Sequence, residues 1–147
     1  MKIVVQRVSS ASVRVAGAVV GEIGKGFLVL FGAERGDTAG LCEEAARKVA
    51  GLRVFEDDAG KMNLALADTG GAVLAVSQFT LAADLSRGRR PGFERALPGA
   101  EAEPLYDRFV AALRGLGVTV ETGRFGAMMD VALVNQGPAT FLLELKP

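Results

Sequence analysis

Two short polar segments carry the residue types best suited to chemistry in this chain. The first, Ser77-Gln78-Phe79-Thr80, follows directly on the apolar run 72–76. Strand alternation would place Gln78 and Thr80 on one face and Ser77 and Phe79 on the other. Polar residues that end a buried strand are typical of a site, but a strand that simply leaves the core has the same pattern. The residues alone leave both interpretations open.

The second segment, residues 135–140, contains a Gly-Pro step between the apolar runs 131–134 and 141–145. Proline cannot donate to a sheet ladder, so Gly137-Pro138 requires a bulge, a turn or a sheet edge. Glycine has no side chain, and its neighbours' carbonyls are free to point outward, which suits recognition by backbone atoms. A hairpin connection is the simpler interpretation.

Arginines form the other candidate groups. Arg7 lies among apolar residues of the first predicted strand; its guanidinium either reaches water or acts as a fork that holds carbonyls or a carboxylate. The segment 85–95 has four arginines against one acid and also carries Phe93. Such a loop suits phosphates and exposed bases, although most short charge clusters are ordinary solvated loops. The four arginines are Arg87, Arg89, Arg90 and Arg95.

Several kinds of site are excluded by composition. The chain has no histidine, so it contains no imidazole base and no histidine metal site. Cys42 is the only cysteine, and its helical context predicts a buried thiol rather than a nucleophile. The acidic cluster 56–58 lacks the spaced ligands of a calcium loop and is expected to be a solvated turn. We therefore expect neither a metal nor a cofactor.

Length and charge indicate one domain, residues 1–147, with 17 basic and 17 acidic residues. A nucleic-acid partner would therefore need a local basic patch. The apolar run 3–5 is too short for a signal peptide, and no stretch reaches the ~20 apolar residues of a membrane span. We expect a cytoplasmic protein with no membrane partner.

The elements that position these residues are mostly strands. Strands are predicted at 1–8 and 11–15, with Ser9-Ser10 as a break or bulge between them. Further strands are predicted at 17–23, 27–31, 52–55, 72–76, 118–120 and on both sides of Gly137-Pro138. Helices are predicted from Asp37 or Thr38 to about Val49, and from Glu101 to Leu116. This order predicts a mixed α/β fold in which a largely antiparallel, layered or barrel-like sheet carries two main helices on one side.

The two polar segments together resemble the D-aminoacyl-tRNA deacylase family, and the likeness extends over essentially the whole chain. The supporting segments are Gln6-Arg7-Val8, Ala11-Ser12-Val13, Gly60-Lys61-Met62-Asn63, Leu81-Ala82-Ala83-Asp84 through Arg90-Pro91, Ala102 to Phe109, and Thr122-Gly123-Arg124-Phe125. Gln136 and Ala139 depart mildly from the family's last motif.

The resemblance implies a homodimer that hydrolyses the ester between a D-amino acid and the 3′ end of tRNA, a form of proofreading in translation. It implies that Gly137-Pro138 is cis, enters the partner's pocket and excludes L-aminoacyl groups, with Arg7 supporting that loop. It further implies that Ser77, Gln78, Phe79 and Thr80 form the pocket wall and that glycyl-tRNA is a second substrate.

The missing histidine bears on mechanism. Thr80 has the hydroxyl that invites a nucleophile role, yet neither motif offers a base to activate it. We expect backbone N–H groups near Phe79 and Thr80 to stabilise the oxyanion, and the ribose 2′-hydroxyl of the tRNA to handle the proton. The competing hypotheses are a nucleic-acid-binding dimer without catalysis, which uses residues 87–95, and an esterase or amidase for small molecules.

Overall fold

The computed structural model describes residues 1–147, which form eight strands, three α-helices and one 3₁₀ turn. The strands β1 to β8 are Lys2–Val15, Ala18–Ile23, Gly26–Gly32, Phe55–Glu56, Met62–Leu64, Ala72–Ser77, Thr119–Thr122 and Asp130–Glu144. The helices α1 to α3 are Ala39–Gly51, Leu66–Thr69 and Gly99–Gly115, and the 3₁₀ turn is Phe79–Ala82.

Strand β1 is the centre of the main sheet. One of its edges pairs with β8 along almost its whole length, and the other pairs first with β3 and then with β2. The strand order is β2-β1-β3-β6-β7, with β8 on the second edge of β1. Only the β3–β6 and β6–β7 pairings are parallel. Strand β8 pairs with no strand other than β1, so its outer edge is free.

The sheet curves until its two ends almost meet, which gives a barrel-like shape. Gly21 of β2 lies against β7 so closely that a Cβ there would be 2.3 Å from the carbonyl oxygen of Thr122. A side chain at this position would therefore keep the ends of the sheet apart. The predicted mixed α/β fold with a largely antiparallel, barrel-like sheet is confirmed.

Helices α1 and α3 pack against each other and bury their apolar stripes in the larger of two hydrophobic clusters. Thr38 begins α1, because its Oγ1 accepts a hydrogen bond from the Leu41 N–H at 3.2 Å. A smaller cluster around Val8, Leu28 and Leu74 lies on the opposite face of β3 and β6, whose residues alternate between the two clusters. No helix combines the length and apolar character that crossing a bilayer requires.

Strand β1 is continuous, and exposed Ser9 and Ser10 form a bulge, one of the two predicted alternatives, where the register against β8 shifts. Two other local predictions were wrong. The strand expected at 52–55 begins only at Phe55, because the Val54 carbonyl accepts from Arg7 instead of a neighbouring strand. The second predicted helix, α3, begins at Gly99, two residues earlier than expected, and helix α2 was not predicted.

Candidate active site

A cavity of about 790 Å³ opens where the carboxyl ends of β3 and β6 meet the segments that precede α3 and β8. This volume is typical of sites for small molecules or single nucleotides. Ser77, Gln78 and Phe79 form one wall, and Phe125 and Met129 form another. The predicted first segment therefore lies at the main cavity of the molecule.

The turn after β6 sets the position of this wall. The Gln78 N–H donates to the Phe31 carbonyl at 2.7 Å, and Gly32 leaves room for the Gln78 carbonyl, which a Cβ would meet at 2.9 Å. The 3₁₀ turn then begins, and its first hydrogen bond runs from Leu81 N–H to the Gln78 carbonyl at 3.2 Å. The N–H groups at the start of such a turn have no acceptor within it. The chain leaves the direction of β6 at this turn, and Phe79, its first residue, is 54% exposed at the cavity mouth.

Thr80 differs from its three neighbours, since its side chain is exposed and does not line the cavity. Its Oγ1 accepts a hydrogen bond from the Gln78 side-chain amide. An amide N–H cannot accept a proton, so this contact does not activate the hydroxyl as a nucleophile.

The opposite wall is held by aromatic and sulfur contacts. The Tyr106 hydroxyl donates to the Ala75 carbonyl at 2.7 Å, and its ring lies 5.9 Å from that of Phe125, centroid to centroid. The lack of a side chain at Gly123 admits Met129, whose Sδ would be 2.7 Å from a Cβ at that position. Phe125 and Met129 thus present a firm apolar surface to the cavity.

Arg35 is the only ionisable residue that lines the cavity. Its Nε donates to the Glu94 carbonyl at 2.8 Å, and its backbone N–H donates to the Arg95 carbonyl at 2.9 Å. No carboxylate, lysine, cysteine or tyrosine belongs to the lining. The cavity can bind an apolar ring and a negative group, but it offers no side-chain base.

The Gly-Pro segment is a bulge in β8, so the hairpin interpretation is wrong. Gln6 of β1 pairs with Thr140, and Val8 pairs with Asn135, which leaves residues 136–139 looped out opposite Arg7. The Gly137-Pro138 peptide is cis. The Asn135 side chain spans the bulge: its Oδ1 accepts from the Ala139 N–H at 3.0 Å, and its Nδ2 donates to Thr140 Oγ1 at 2.9 Å.

The Arg7 guanidinium does not reach water, so the simpler of its two interpretations is wrong. The residue is 6% exposed, and its Nε donates to the Gln136 carbonyl at 3.1 Å. Its Nη1 donates to the Val54 carbonyl at 2.6 Å. Arg7 is therefore a fork that ties the base of the bulge to the segment before β4.

The bulge and the cavity do not meet within one chain. Gln136, Gly137 and Pro138 are exposed, and none of them lines the cavity. The bulge lies on the free outer edge of β8, the strand on which Val134 and Leu142 are 56% and 66% exposed. An apolar, unpaired strand edge is a surface that another strand or chain can cover.

The arginine loop is solvent-exposed, as a solvated basic loop should be. Arg87, Arg89, Arg90 and Arg95 are all exposed, and none forms an ion pair within 4.0 Å. None lines the cavity, but Phe93 of the same loop does.

Sequence reasoning missed Arg35, Phe125 and Met129 as cavity residues. Arg35 follows the buried strand β3, just as Ser77 ends β6, so the signal used for Ser77 was present there too. Phe125 and Met129 lie in a connection of no regular structure between β7 and β8, where no periodicity shows which way a side chain points.

The remaining reactive or acidic groups lie elsewhere. Cys42 is buried in α1 as predicted, and burial raises the pKa of its thiol to about 11, so it is not a thiolate near neutral pH. The Lys61 N–H and other donors of its own turn lower the pKa of the Asp57 carboxyl. No cluster of three potential ligands is placed to hold a metal ion.

The sequence of residues 4–144 matches the family model described as D-Tyr-tRNA(Tyr) deacylase. Curated relatives named D-aminoacyl-tRNA deacylase include that of Symbiobacterium thermophilum, 59% identical over 98% of this chain and 95% of the relative. Those of Thermomicrobium roseum and Geobacter sulfurreducens are 58% and 56% identical, over 98% and 99% of this chain and 94% and 96% of the relatives.

Solved structures with a similar fold cover nearly the whole chain. One described as c-Myc DNA Unwinding Element Binding Protein superposes with a TM-score of 0.94 at 41% identity and full coverage of both chains. Another, described as a probable eukaryotic D-amino acid tRNA deacylase, shares the fold at a TM-score of 0.85 and 18% identity, over 98% of each chain. The chain therefore belongs to the D-Tyr-tRNA(Tyr) deacylase family, and its three curated relatives above are named D-aminoacyl-tRNA deacylases.

Proposed function

We propose that this family member hydrolyses the ester of D-aminoacyl-tRNA within the cavity beside Ser77, Gln78 and Phe79. One observation carries the proposal: the cavity is apolar, has an uncharged polar edge, and has Arg35 as its single ionisable residue. Such a site suits the terminal nucleoside of an RNA and an activated ester. It does not suit a reaction that needs a strong side-chain acid or base.

The chemistry assigned to the chain is modest. Water adds to the ester carbonyl, the bond from the carbonyl carbon to the ribose 3′-oxygen breaks, and that oxygen takes up a proton. Backbone N–H groups at Phe79 and Thr80 stabilise the negative oxygen of the intermediate, each contributing roughly 10²–10³-fold. The neighbouring ribose 2′-hydroxyl relays the proton, because the cavity lining has no side-chain base.

Chirality is read, in this proposal, by the bulge of a second copy of the chain. Gly137-Pro138 is exposed and lies outside its own cavity, and the β8 edge that carries it is free and partly apolar. A homodimer that covers this edge would bring the bulge of one protomer to the cavity of the other. The backbone of the bulge, held by the Arg7 fork, would then leave room for the α-hydrogen of a D-residue but would clash with the side chain of an L-residue. Glycine has no side chain to clash, so glycyl-tRNA is also hydrolysed.

The exposed arginine loop contacts the RNA backbone. Arg87, Arg89, Arg90 and Arg95 form no ion pair within 4.0 Å, so their charges are available to phosphates. Neutralising these arginines would weaken binding of any tRNA and reduce the dependence of binding on salt.

The test is single-turnover deacylation of D-tyrosyl-tRNA, L-tyrosyl-tRNA and glycyl-tRNA, beside D-tyrosine ethyl ester without RNA. The proposal expects turnover of the D-aminoacyl and glycyl tRNAs only. If D-tyrosine ethyl ester were hydrolysed as fast as D-tyrosyl-tRNA, the protein would be a small-molecule esterase instead. Hydrolysis of L-tyrosyl-tRNA would refute the proposed chiral selection.

A second candidate function is nucleic-acid binding without catalysis. It is favoured by the relative at 41% identity that is described as a DNA unwinding element binding protein, together with the unpaired arginine loop. Binding of duplex DNA measured by fluorescence anisotropy, with tRNA as competitor, distinguishes the two. Duplex binding that tRNA fails to displace, in a protein inactive on D-tyrosyl-tRNA, would favour this candidate.

A further inference from the structure

Two phenylalanines stand apart from the other six. Only Phe79 and Phe93 are exposed, and their ring centroids are 5.1 Å apart with the planes inclined at 58°. Both line the mouth of the cavity. An exposed aromatic pair at the entrance of a site is an apolar surface that a ligand can cover.

Phe93 is held in place by backbone hydrogen bonds on both sides. Before it, Asp84 and Gly92 exchange N–H···O bonds of 2.8 and 2.9 Å, which close the arginine loop at its base. After it, the Arg35 N–H donates to the Arg95 carbonyl at 2.9 Å, and the Leu97 N–H donates to the Ala33 carbonyl at 3.1 Å. The ring is therefore carried by a fixed frame, while residues 85–91, the tip of the loop, are exposed.

These two features point to one kind of ligand. An unpaired nucleotide offers a flat apolar face for an aromatic ring and a phosphate for a guanidinium. Phe79 belongs to the wall beside the scissile ester, so its face is available to the terminal nucleoside. Phe93 is the neighbouring ring at 5.1 Å, and it belongs to the loop that carries Arg87, Arg89 and Arg90.

We propose that Phe93 stacks on the base of the penultimate nucleotide of the RNA 3′ end, while the arginine tip binds the adjoining phosphates. The inference rests on the proposed function and adds a specificity-determining residue to it. Phe93 makes the enzyme prefer an ester carried by a single-stranded RNA end over the same ester on an isolated nucleoside. Phe93 does not touch the reacting atoms, so it acts on substrate binding.

The first experiment compares two substrates: D-tyrosyl-adenosine, and an RNA minihelix that ends in unpaired 3′ nucleotides charged with D-tyrosine. Stacking on one base is lost in Phe93→Ala, so kcat/KM on the minihelix falls roughly 5- to 150-fold. The loss lies in KM, and kcat/KM on D-tyrosyl-adenosine falls by a clearly smaller factor, because Phe93 also lines the cavity mouth. Phe93→Trp restores the minihelix activity. The matched control is Leu116→Ala, another exposed apolar residue, at the far end of α3, which leaves both substrates unaffected.

The second experiment removes the partner base. A minihelix that is abasic at the penultimate position reacts with wild type as slowly as the intact minihelix reacts with Phe93→Ala. The abasic change has no further effect on Phe93→Ala, which shows that ring and base act as a pair.

An equal loss on both substrates would mean that Phe93 only packs against Phe79, and it would overturn the inference while leaving the proposed function intact. Unchanged kinetics of Phe93→Ala on the minihelix would overturn it as well. A wild-type enzyme that hydrolyses neither D-tyrosyl substrate would instead refute the proposed function and the inference together.

Discussion

Gly137 lies so close to Arg7 that a Cβ at position 137 would be 2.6 Å from Nη2 of the guanidinium. The same guanidinium is bound to the Gln136 and Val54 carbonyls, so it cannot move away without losing those hydrogen bonds. Gly137 also has φ of +126°, a backbone conformation that L side chains rarely adopt. The shape of the exposed bulge therefore depends on the absence of a side chain at one position and on a buried cation behind it.

Gly137→Ala should disturb the bulge and weaken the proposed chiral filter. We expect turnover of L-tyrosyl-tRNA to rise by about tenfold or more, with a loss in the free energy of unfolding of about 1–3 kcal/mol from backbone strain. Gly115→Ala is the matched control, since nothing lies within 4 Å of a Cβ there. If the bulge is displaced in Gly137→Ala but turnover of L-tyrosyl-tRNA stays at the wild-type level, the proposed role of the bulge in chiral selection is contradicted.

Thr80→Ala should keep activity on D-tyrosyl-tRNA within about tenfold of wild type, because the Thr80 hydroxyl contacts only the Gln78 amide. A substrate whose terminal ribose lacks the 2′-hydroxyl should react roughly 10²–10⁴-fold more slowly, the range typical of a lost proton-transfer group. Single-turnover rates measure both. Two results together would indicate a covalent intermediate instead. Thr80→Ala would be folded but inactive, and the wild-type enzyme would be fully active on the deoxy substrate.

Tyr106 should make stability fall at alkaline pH. Burial raises the pKa of its hydroxyl from 10.0 to about 12, so the folded state favours the protonated form. Its contribution is complete below pH 10 and is lost as the pH rises from 10 to 12. Urea unfolding across this range should show the decline in wild type and a smaller one in Tyr106→Phe.

At neutral pH, Tyr106→Phe should cost only about 1 kcal/mol, because the Ala75 carbonyl also accepts from the Gly123 N–H at 3.1 Å and is not left unpaired. An identical alkaline decline in both proteins would assign the effect to other groups.

The ammonium of Met1 should stabilise the loop that carries Arg35. It is fully enclosed and pairs with Asp37 at 3.0 Å and Glu34 at 2.9 Å, and the Asp37 side chain is 1% exposed. Asp37→Asn leaves a buried charge with one partner fewer, so we expect a loss of about 3 kcal/mol in the free energy of unfolding. Glu44→Gln is the control, since it breaks the exposed Glu44–Lys48 pair and should cost less than about 0.5 kcal/mol. Equal losses in the two variants would show that the Met1 contact is not a buried ion pair.

The sequence was informative where one residue type admits few structures. Pro138 could not lie within a regular ladder, and the two helices had clear apolar stripes, so the sheet edge and the helical layer were predictable. The polar end of β6 was likewise predictable, because the buried run before it ends abruptly at Ser77.

The rest depends on contacts between distant residues. The role of Arg7 follows from Val54 and Gln136, which lie 47 and 129 residues away along the chain. The cavity wall at Phe125 depends on Tyr106 and, through it, on β6. No local pattern in the sequence records such pairings.

The central claim is that the bulge of one protomer forms the filter in the cavity of its partner, and mixed dimers test it most directly. Gly137→Ala chains, which should admit L-tyrosyl-tRNA, are refolded with a large excess of Ala127→Trp chains, whose cavity is filled but whose bulge is intact. The account predicts that L-tyrosyl turnover per Gly137→Ala chain falls towards the wild-type level, while D-tyrosyl turnover per open cavity is kept. L-tyrosyl turnover that does not change on mixing would show that each bulge serves its own chain, or no cavity at all, and would contradict the account.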